Sequence, residues 1–316
     1  MGYWSGKKIL VTGGAGFLGS RIVSLLTNRG AETSNIYVPR SSDTDLTNFN
    51  NCVKSVAGIN VVIHLAARVG GIGYNLTRPG YLFYQNAVMG IQMMEAARRE
   101  RVEKFIAVGT VCAYPKYTRV PFNENSIWDG YPEETNAPYG LAKKMLLAQA
   151  QAYRKEYGFN GIYLLPANLY GPGDSFDPSR SHVIPALIKK FVDARAHDEA
   201  EVFLWGTGNA TREFLYVDDA AEGILLAAER YNGPAPVNLG TGHEVSIREL
   251  AELISSQVDY KGRIKWDETK PDGQPRRSLD TRRAKELFGF EARTTLEAGI
   301  HSTIEYYEGS RLENRH

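Results

Sequence analysis

The sequence predicts an α/β protein: a doubly wound parallel sheet followed by a smaller α/β C-terminal unit. Three observations carry this reading. Short apolar strands alternate with helices through the first half of the chain. The first of those strands runs straight into a glycine-rich turn that opens a helix. After Tyr170-Gly171-Pro172 the alternation gives way to short elements separated by Pro and Gly.

In chain order, Lys8–Thr12 reads as a buried strand and Gly16–Arg29 as a helix stopped at Gly30. Asn35–Val38 is a second strand. Asn60–Ala66 is a third, nearly all apolar, as expected where helices cover both faces of a parallel sheet. A helix over Asn86–Glu100, a strand at Lys104–Val108, a helix over Tyr139–Tyr157 and a strand at Gly161–Pro166 complete the alternation. Then come a helix near His182–Asp193, strands at Val202–Trp205 and Glu213–Tyr216, a helix from Asp219 and a strand-like Val237–Gly240. Ser246 and Glu249 form a capping box that opens a further helix. The tail holds a strand at Arg263–Trp266, a loop from Lys270 to Arg277 and two helices. The expected domains are 1–171, with segments near 213–243 returning to it, and 172–316.

Bulk properties exclude several classes. A formal charge of +1 gives no bias towards nucleic acid or an anionic membrane. No apolar run reaches the ~18–20 residues that span a bilayer. Met1–Lys8 lacks a signal-type apolar segment. Cys52 and Cys112 are the only cysteines, which indicates no disulfide framework and suits a reducing cytoplasm. The six histidines (His64, His182, His197, His243, His301 and His316) are too scattered to suggest a metal site.

Thr12-Gly13-Gly14-Ala15-Gly16-Phe17-Leu18-Gly19 places glycines three apart after an apolar strand and at the start of a helix. That is a Rossmann dinucleotide turn: Gly13, Gly16 and Gly19 serve the turn, the backbone approach to pyrophosphate and the helix–strand packing, while Phe17 and Leu18 open the helix. The second strand ends Val38-Pro39-Arg40-Ser41-Ser42 with no acid before Asp43, which favours NADP(H), with Arg40 and Arg21 near the 2′-phosphate; NAD stays open. Asp45 and Leu46 are expected on the adenine side, and Leu65, Ala66 and Ala67 at the carboxyl end of the third strand, with His64 as a pocket wall. Pro166, Asn168, Leu169 and His182 complete the expected coenzyme contacts.

Tyr139 and Lys143 stand four apart and share one helical face. An ammonium there is expected to lower the phenol's pKa and make it a proton donor and acceptor near neutrality. Thr110 ends the fourth strand and offers a hydroxyl to the same edge. This hydroxyl, phenol and ammonium set resembles that of the extended short-chain dehydrogenase/reductases.

Further motifs follow in order: Val69-Gly70-Gly71-Ile72, Tyr84-Gln85-Asn86, Cys112-Ala113-Tyr114-Pro115-Lys116, Asn168-Leu169-Tyr170-Gly171-Pro172, Ser181-His182-Val183-Ile184-Pro185, Trp205-Gly206-Thr207-Gly208, Arg212-Glu213-Phe214-Leu215 and Lys270-Pro271-Asp272-Gly273. Over nearly the whole chain they resemble the GDP-L-fucose synthase family. The resemblance implies two epimerisations and one reduction of a GDP-4-keto-6-deoxyhexose in one pocket. Cys112 would be the epimerisation base and His182 the acid, with NADP(H) as reductant. It further implies that Asn168, Val183, Leu187, Lys190, Trp205, Arg212 and Lys270 contact the substrate, Arg212 and Lys270 neutralising its diphosphate. Arg276 and Arg277 either add charge there or are solvated. Relatives of this kind pair two helices, here Asn86–Glu100 and Tyr139–Tyr157, into a homodimer, with Met89, Met93 and Met94 at the interface.

Two departures stand out. Thr110 and Val111 replace the usual pair of serines, so Val111 is expected to make the pocket wall more apolar. Gly14-Ala15 stands where relatives carry histidine and arginine, which leaves a related GDP-4-keto-sugar reductase or an NAD-using 4-epimerase open.

Overall fold

The computed structural model describes residues 2–70, 72–178, 181–270 and 272–313. Gly71 and Pro271, each within a family motif, fall outside that set. The strands in chain order are β1 (Ile9–Thr12), β2 (Ile36–Tyr37), β3 (Val61–His64), β4 (Lys104–Val108), β5 (Gly161–Pro166), β6 (Asn168–Tyr170), β7 (Glu201–Trp205), β8 (Thr211–Tyr216), β9 (Val237–Leu239), β10 (Glu244–Ser246) and β11 (Arg263–Asp267). The helices are α1 (Phe17–Asn28), α2 (Phe49–Val56), α3 (Ile72–Thr77), α4 (Pro79–Arg99), α5 (Ala137–Tyr157), α6 (Val183–Ala196), α7 (Val217–Arg230), α8 (Ile247–Gln257), α9 (Arg282–Phe288) and α10 (Leu296–Glu313).

Six strands form one parallel sheet in the order β2-β1-β3-β4-β5-β9. Strands β1, β3, β4 and β5 are buried along their whole length, which explains their unbroken apolar character. The chain leaves β1 in one direction for β2 and returns past it for β3. The strand order therefore reverses between β1 and β3, and a crevice opens beyond their carboxyl ends. This parallel sheet with helices on its faces is the doubly wound architecture expected from the alternating pattern.

Helix α4 starts two turns earlier than periodicity suggests. Pro79 fits its first turn, where the missing N–H costs nothing. It packs along α5. Met89, Met93 and Met94 are buried in the sheet's own core, which corrects their expected place at a subunit interface. The large apolar residues that α4 and α5 expose are instead Tyr81, Phe83, Tyr84, Met145 and Tyr157.

A second apolar cluster gathers Tyr170, Ile184, Leu187, Phe191 and Phe214 with residues of α8 and α10. It lies among the β10-β8-β6 and β11-β7 sheets. The chain crosses between the two clusters more than once: Phe214 belongs to the second, while Leu215, Ile224 and Val237 belong to the first. Helix α8 opens on the expected capping box, with Ser246 Oγ accepting from Glu249 N at 3.1 Å and Glu249 Oε2 accepting from Ser246 N at 2.9 Å.

Candidate active site

The crevice is built by β1, β3 and the turn into α1. Thr12 Oγ1 lies 2.9 Å from His64 Nδ1 and accepts from Ala66 N at 3.2 Å, tying the carboxyl ends of the two strands together. Burial, with the nearby Lys143 charge, pulls His64 down to about 3, so the imidazole is neutral at physiological pH and serves as a strut. Gly13 has φ +71°, and a Cβ there would stand 3.0 Å from Ala66 N. At Gly19 a Cβ would overlap the Gly13 carbonyl oxygen. Helix α1 begins after Gly16 with neither a side-chain cap nor an acid in its first turn, which leaves its leading N–H groups, from Phe17 and Leu18 onwards, for an anion. A dinucleotide pyrophosphate fits this cradle.

Around it, Leu65, Ala66 and Ala67 are half-buried. Arg40 is exposed, and its guanidinium has no partner among the described residues. Arg21, expected beside it, is instead committed elsewhere: it donates to the Pro172 carbonyl at 3.0 Å and lies 3.4 Å from the Asp218 carboxylate. Asp45 is exposed, and its carboxylate accepts from Thr47 N and Oγ1 at 2.9 and 2.8 Å, bonds that hold it below the usual carboxylate range. Leu46, expected near adenine, packs into the core because α2 folds over it. Pro166 is buried, Leu169 packs against the core, and Asn168 Nδ2 donates to the Glu213 carbonyl at 2.9 Å. That last bond braces β6 on β8 with one of the amide's two N–H groups and leaves the other N–H and Oδ1 to a ligand.

Thr110 caps the short 3₁₀ turn Val111–Ala113 that follows β4. Its Oγ1 accepts from Cys112 N at 3.2 Å, which leaves the O–H free to donate. Val111 points into the core, so the expected apolar pocket wall is not there. Helix α5 packs on this turn and brings Tyr139 near Cys112, while Lys143, one helical turn later, lies near His64. Gly140 makes the approach possible, since a Cβ on it would overlap the Cys112 carbonyl oxygen.

Lys143 is 3% exposed and has no hydrogen-bond or ion-pair partner among the described residues; burial pulls it down to about 8. Burial also pushes the Tyr139 phenol above its ordinary value, and the neighbouring Cys112 adds to this. The expectation that Lys143 acidifies Tyr139 is therefore corrected: desolvation of the phenol dominates.

Cys112 is half-buried, and its Sγ accepts from Arg277 Nη1 at 3.6 Å. The other edge of that guanidinium is held by Gln274 Oε1, at 2.9 Å from Nη2 and 3.3 Å from Nε. Arg276, its neighbour in sequence, pairs with Glu244 at the surface. His182 is exposed at the N-cap of α6 but makes no capping bond. Burial pushes the nearby Asp174 carboxyl up, with Ser175 N and His182 opposing that shift. Among the described residues no hydrogen bond or ion pair joins His182 to the Thr110, Cys112 and Tyr139 group.

Trp205 is 71% exposed at the end of β7, and Lys270 Nζ lies 5.8 Å from its ring centroid. The Asp272 carboxylate accepts from Thr207 N and Oγ1, both at 2.7 Å, folding the 272–277 loop onto the end of β7. Burial and the Arg277 charge together pull Arg212 down to about 10. Neither guanidinium has an ion-pair partner among the described residues, so the two form a cationic wall suited to an anion. Val183 is half-buried, whereas Leu187 packs into the second core and Lys190 Nζ donates to the Phe203 carbonyl. Leu187 therefore braces α6, contrary to its expected contact with substrate, while the exposed Lys190 keeps two further N–H donors for a ligand. Gly140, Asp272 and Gln274 carried no assigned role in the sequence reading; the glycine inside Tyr139-Gly140-Leu141-Ala142-Lys143 and the motif Lys270-Pro271-Asp272-Gly273 offered signals for the first two.

Comparisons with known proteins agree with this geometry. The family model described as "NAD dependent epimerase/dehydratase family" matches residues 9–240. A probable GDP-L-fucose synthase 1 from Oryza sativa subsp. japonica is 39% identical, covering 96% of this chain and 92% of its own. A GDP-L-fucose synthase from Sinorhizobium fredii is 38% identical, covering 98% of both chains. The crystal structure of a GDP-L-fucose synthetase from Naegleria fowleri bound to NADP superposes with a TM-score of 0.88 at 25% identity, covering 99% of this chain and 97% of that one. The chain belongs to the NAD dependent epimerase/dehydratase family and groups within it with the GDP-L-fucose synthases.

Proposed function

We propose that the protein is an NADP(H)-dependent epimerase/reductase acting on a GDP-linked 4-keto-6-deoxyhexose. One observation carries this reading: a free hydroxyl (Thr110), a thiol (Cys112) and a phenol (Tyr139) meet at one turn, beside an unpartnered buried ammonium (Lys143). The relatives' names supply the substrate class and the coenzyme.

The crevice glycines and the open N-terminus of α1 would hold the coenzyme pyrophosphate, Arg40 its 2′-phosphate and Lys143 its nicotinamide ribose. When bound, NADPH supplies hydride to the ketone carbon. The remaining work falls to the chain's own residues. Arg212 and Lys270 neutralise the substrate diphosphate, and Trp205 offers a face for stacking. Thr110 donates to the C4 oxygen, stabilising the enolate that forms when a proton leaves C3 or C5. Cys112 takes that proton, and His182, exposed at the head of α6, returns one on the opposite face. Tyr139 then gives its proton to the reduced C4 oxygen. A phenol held above its ordinary value keeps its proton until that step, so its raised proton affinity suits the role of acid.

The apolar surface of α4 and α5 (Tyr81, Phe83, Tyr84 and Met145) supports a homodimer. Two unbridged cysteines suit a cytoplasmic setting. The decisive measurement is turnover of GDP-4-keto-6-deoxy-D-mannose. Stoichiometric NADPH oxidation is expected, with Tyr139→Phe losing at least ~10³-fold in kcat while GDP affinity persists. Coenzyme that co-purifies and is not consumed would instead mark a 4-epimerase, and an undiminished phenylalanine variant would end the reading.

A further inference from the structure

The proposed reaction needs Cys112 as a base, and a thiol is a base only in its charged form. We infer that Arg277, aimed by Gln274, is the positioning residue that holds Cys112 as a thiolate. The inference rests on the functional reading above and deepens it, by assigning the source of the base's charge.

The geometry is a relay of directed hydrogen bonds. Gln274 Nε2 donates to the Lys116 carbonyl at 2.9 Å, which fixes the amide on the segment just beyond Cys112. Its Oε1 then accepts from two nitrogens along one edge of the Arg277 guanidinium, at 2.9 and 3.3 Å. With that edge occupied, Nη1 is left to face Cys112 Sγ at 3.6 Å. The backbone is fixed as well. Thr211 N donates to the Pro275 carbonyl at 2.8 Å and Glu213 N to the Arg277 carbonyl at 3.1 Å, so residues 275–277 run along β8 as a further edge. A guanidinium pinned on one side by a neutral amide keeps its full charge for the group on the other side, because no carboxylate among the described residues competes for it.

The charged and titratable groups that act with Cys112 are Tyr139 from α5, Arg212 from β8 and Arg277 itself. Arg277 thus faces the sulfur directly, and the Arg212 charge acts on it from β8. In the epimerisation step the thiolate's electron pair takes the C3 or C5 proton, and the C–H electrons pass into the enolate under Thr110. The thiol formed is returned to thiolate when solvent accepts its proton, and Arg277 favours that return. Arg276 is the built-in contrast, since it pairs with Glu244 at the surface and does not touch the sulfur.

The test reads thiol reactivity apart from turnover. Iodoacetamide alkylation of Cys112, followed by mass spectrometry, is expected to slow about tenfold near pH 7 in Arg277→Gln. Gln274→Ala, a milder change in a loop, should give a smaller slowing in the same direction, and Arg277→Lys should recover part of the rate. In deuterated solvent, exchange at C3 and C5 of GDP-4-keto-6-deoxy-D-mannose should fall in parallel, while Arg276→Gln leaves both readouts unchanged. Equal alkylation profiles in wild type and Arg277→Gln would overturn the inference, as would a loss confined to GDP affinity. A wild type that alkylates as described but exchanges no substrate proton would instead overturn the functional reading, which keeps the two failures distinct.

Discussion

Lys143 carries a cation into a place where 3% of it meets solvent and nothing among the described residues pairs with it. Burial of this kind penalises the charged form, so the folded protein holds that proton less tightly than the unfolded chain does. Below about 8 both states are protonated and the full penalty, of order 3 kcal/mol, stands against folding. As pH rises from there towards the ordinary lysine value the folded state sheds its proton first, and the penalty is relieved. The coenzyme-free protein should therefore gain stability across that window, seen as a rising Tm. Lys143→Met should flatten the rise and raise Tm near pH 7, yet abolish the stabilisation that NADP(H) gives the wild type. A variant with unchanged coenzyme affinity would show that Lys143 has no part in the site. The Tyr139 and Lys143 pairing was legible from spacing alone, because a helix puts residues four apart on one face. The direction of the phenol's shift was not, since desolvation depends on what the rest of the chain lays over the ring. Arg276 and Arg277 make the same point: sequence offers two equivalent arginines, and only the docking of their segment on β8 sends one to the surface and the other to the sulfur.

At the scale of elements, strands β4 and β5 fall where the apolar runs place them, because a strand buried on both faces announces itself in composition. Helices α2 and α3 and strands β6 and β10 were not legible: they are short, and β6 and β10 are half-polar segments held by pairing with β8. The approach of elements was partly legible through glycine. Gly140 allows α5 to press on the Thr110 turn, so Gly140→Ala should push the helix outward, cost about 2 kcal/mol or more in urea unfolding and lower kcat with it. Gly109 offers a paired test. A Cβ there would overlap the Tyr163 hydroxyl, and that hydroxyl is buried with no hydrogen-bond partner among the described residues. Tyr163→Phe removes an unsatisfied group and should be neutral or stabilising by about 1 kcal/mol. Gly109→Ala alone should destabilise, and the double variant should recover part of the loss. Additive effects in that cycle would refute the contact.

The whole molecule turns on how its two apolar clusters are joined, and Glu213 stands at that junction. Strand β8 sends Phe214 into one cluster and Leu215 into the other. The Glu213 carboxylate is 1% exposed and accepts four hydrogen bonds: Oε1 from Thr241 N and Gly242 N at 2.6 and 3.0 Å, Oε2 from Leu279 N and Ser278 Oγ at 2.6 and 3.0 Å. These donors come from the loop after β9 and from the segment that leads out of Arg277, so a single side chain fastens the parallel sheet to the substrate-side loop. Nothing in the sequence marked Glu213 for this work, because its partners lie 28 and 65 residues away along the chain. Glutamine is nearly the same shape, but one of its two ends is an NH₂ that must face donors. Glu213→Gln should therefore lose about 2–3 kcal/mol in urea unfolding. Because the loosened end also carries Arg277, proton exchange at C3 and C5 should fall further than GDP affinity, since Trp205 and Lys270, proposed to hold the nucleotide, stand on β7 and the loop beyond it. A variant as stable as the wild type would mean that these four donors find other partners. One that lost GDP affinity and proton exchange in equal measure would mean that the carboxylate organises the pocket as a whole, with no separate hold on the segment behind Cys112.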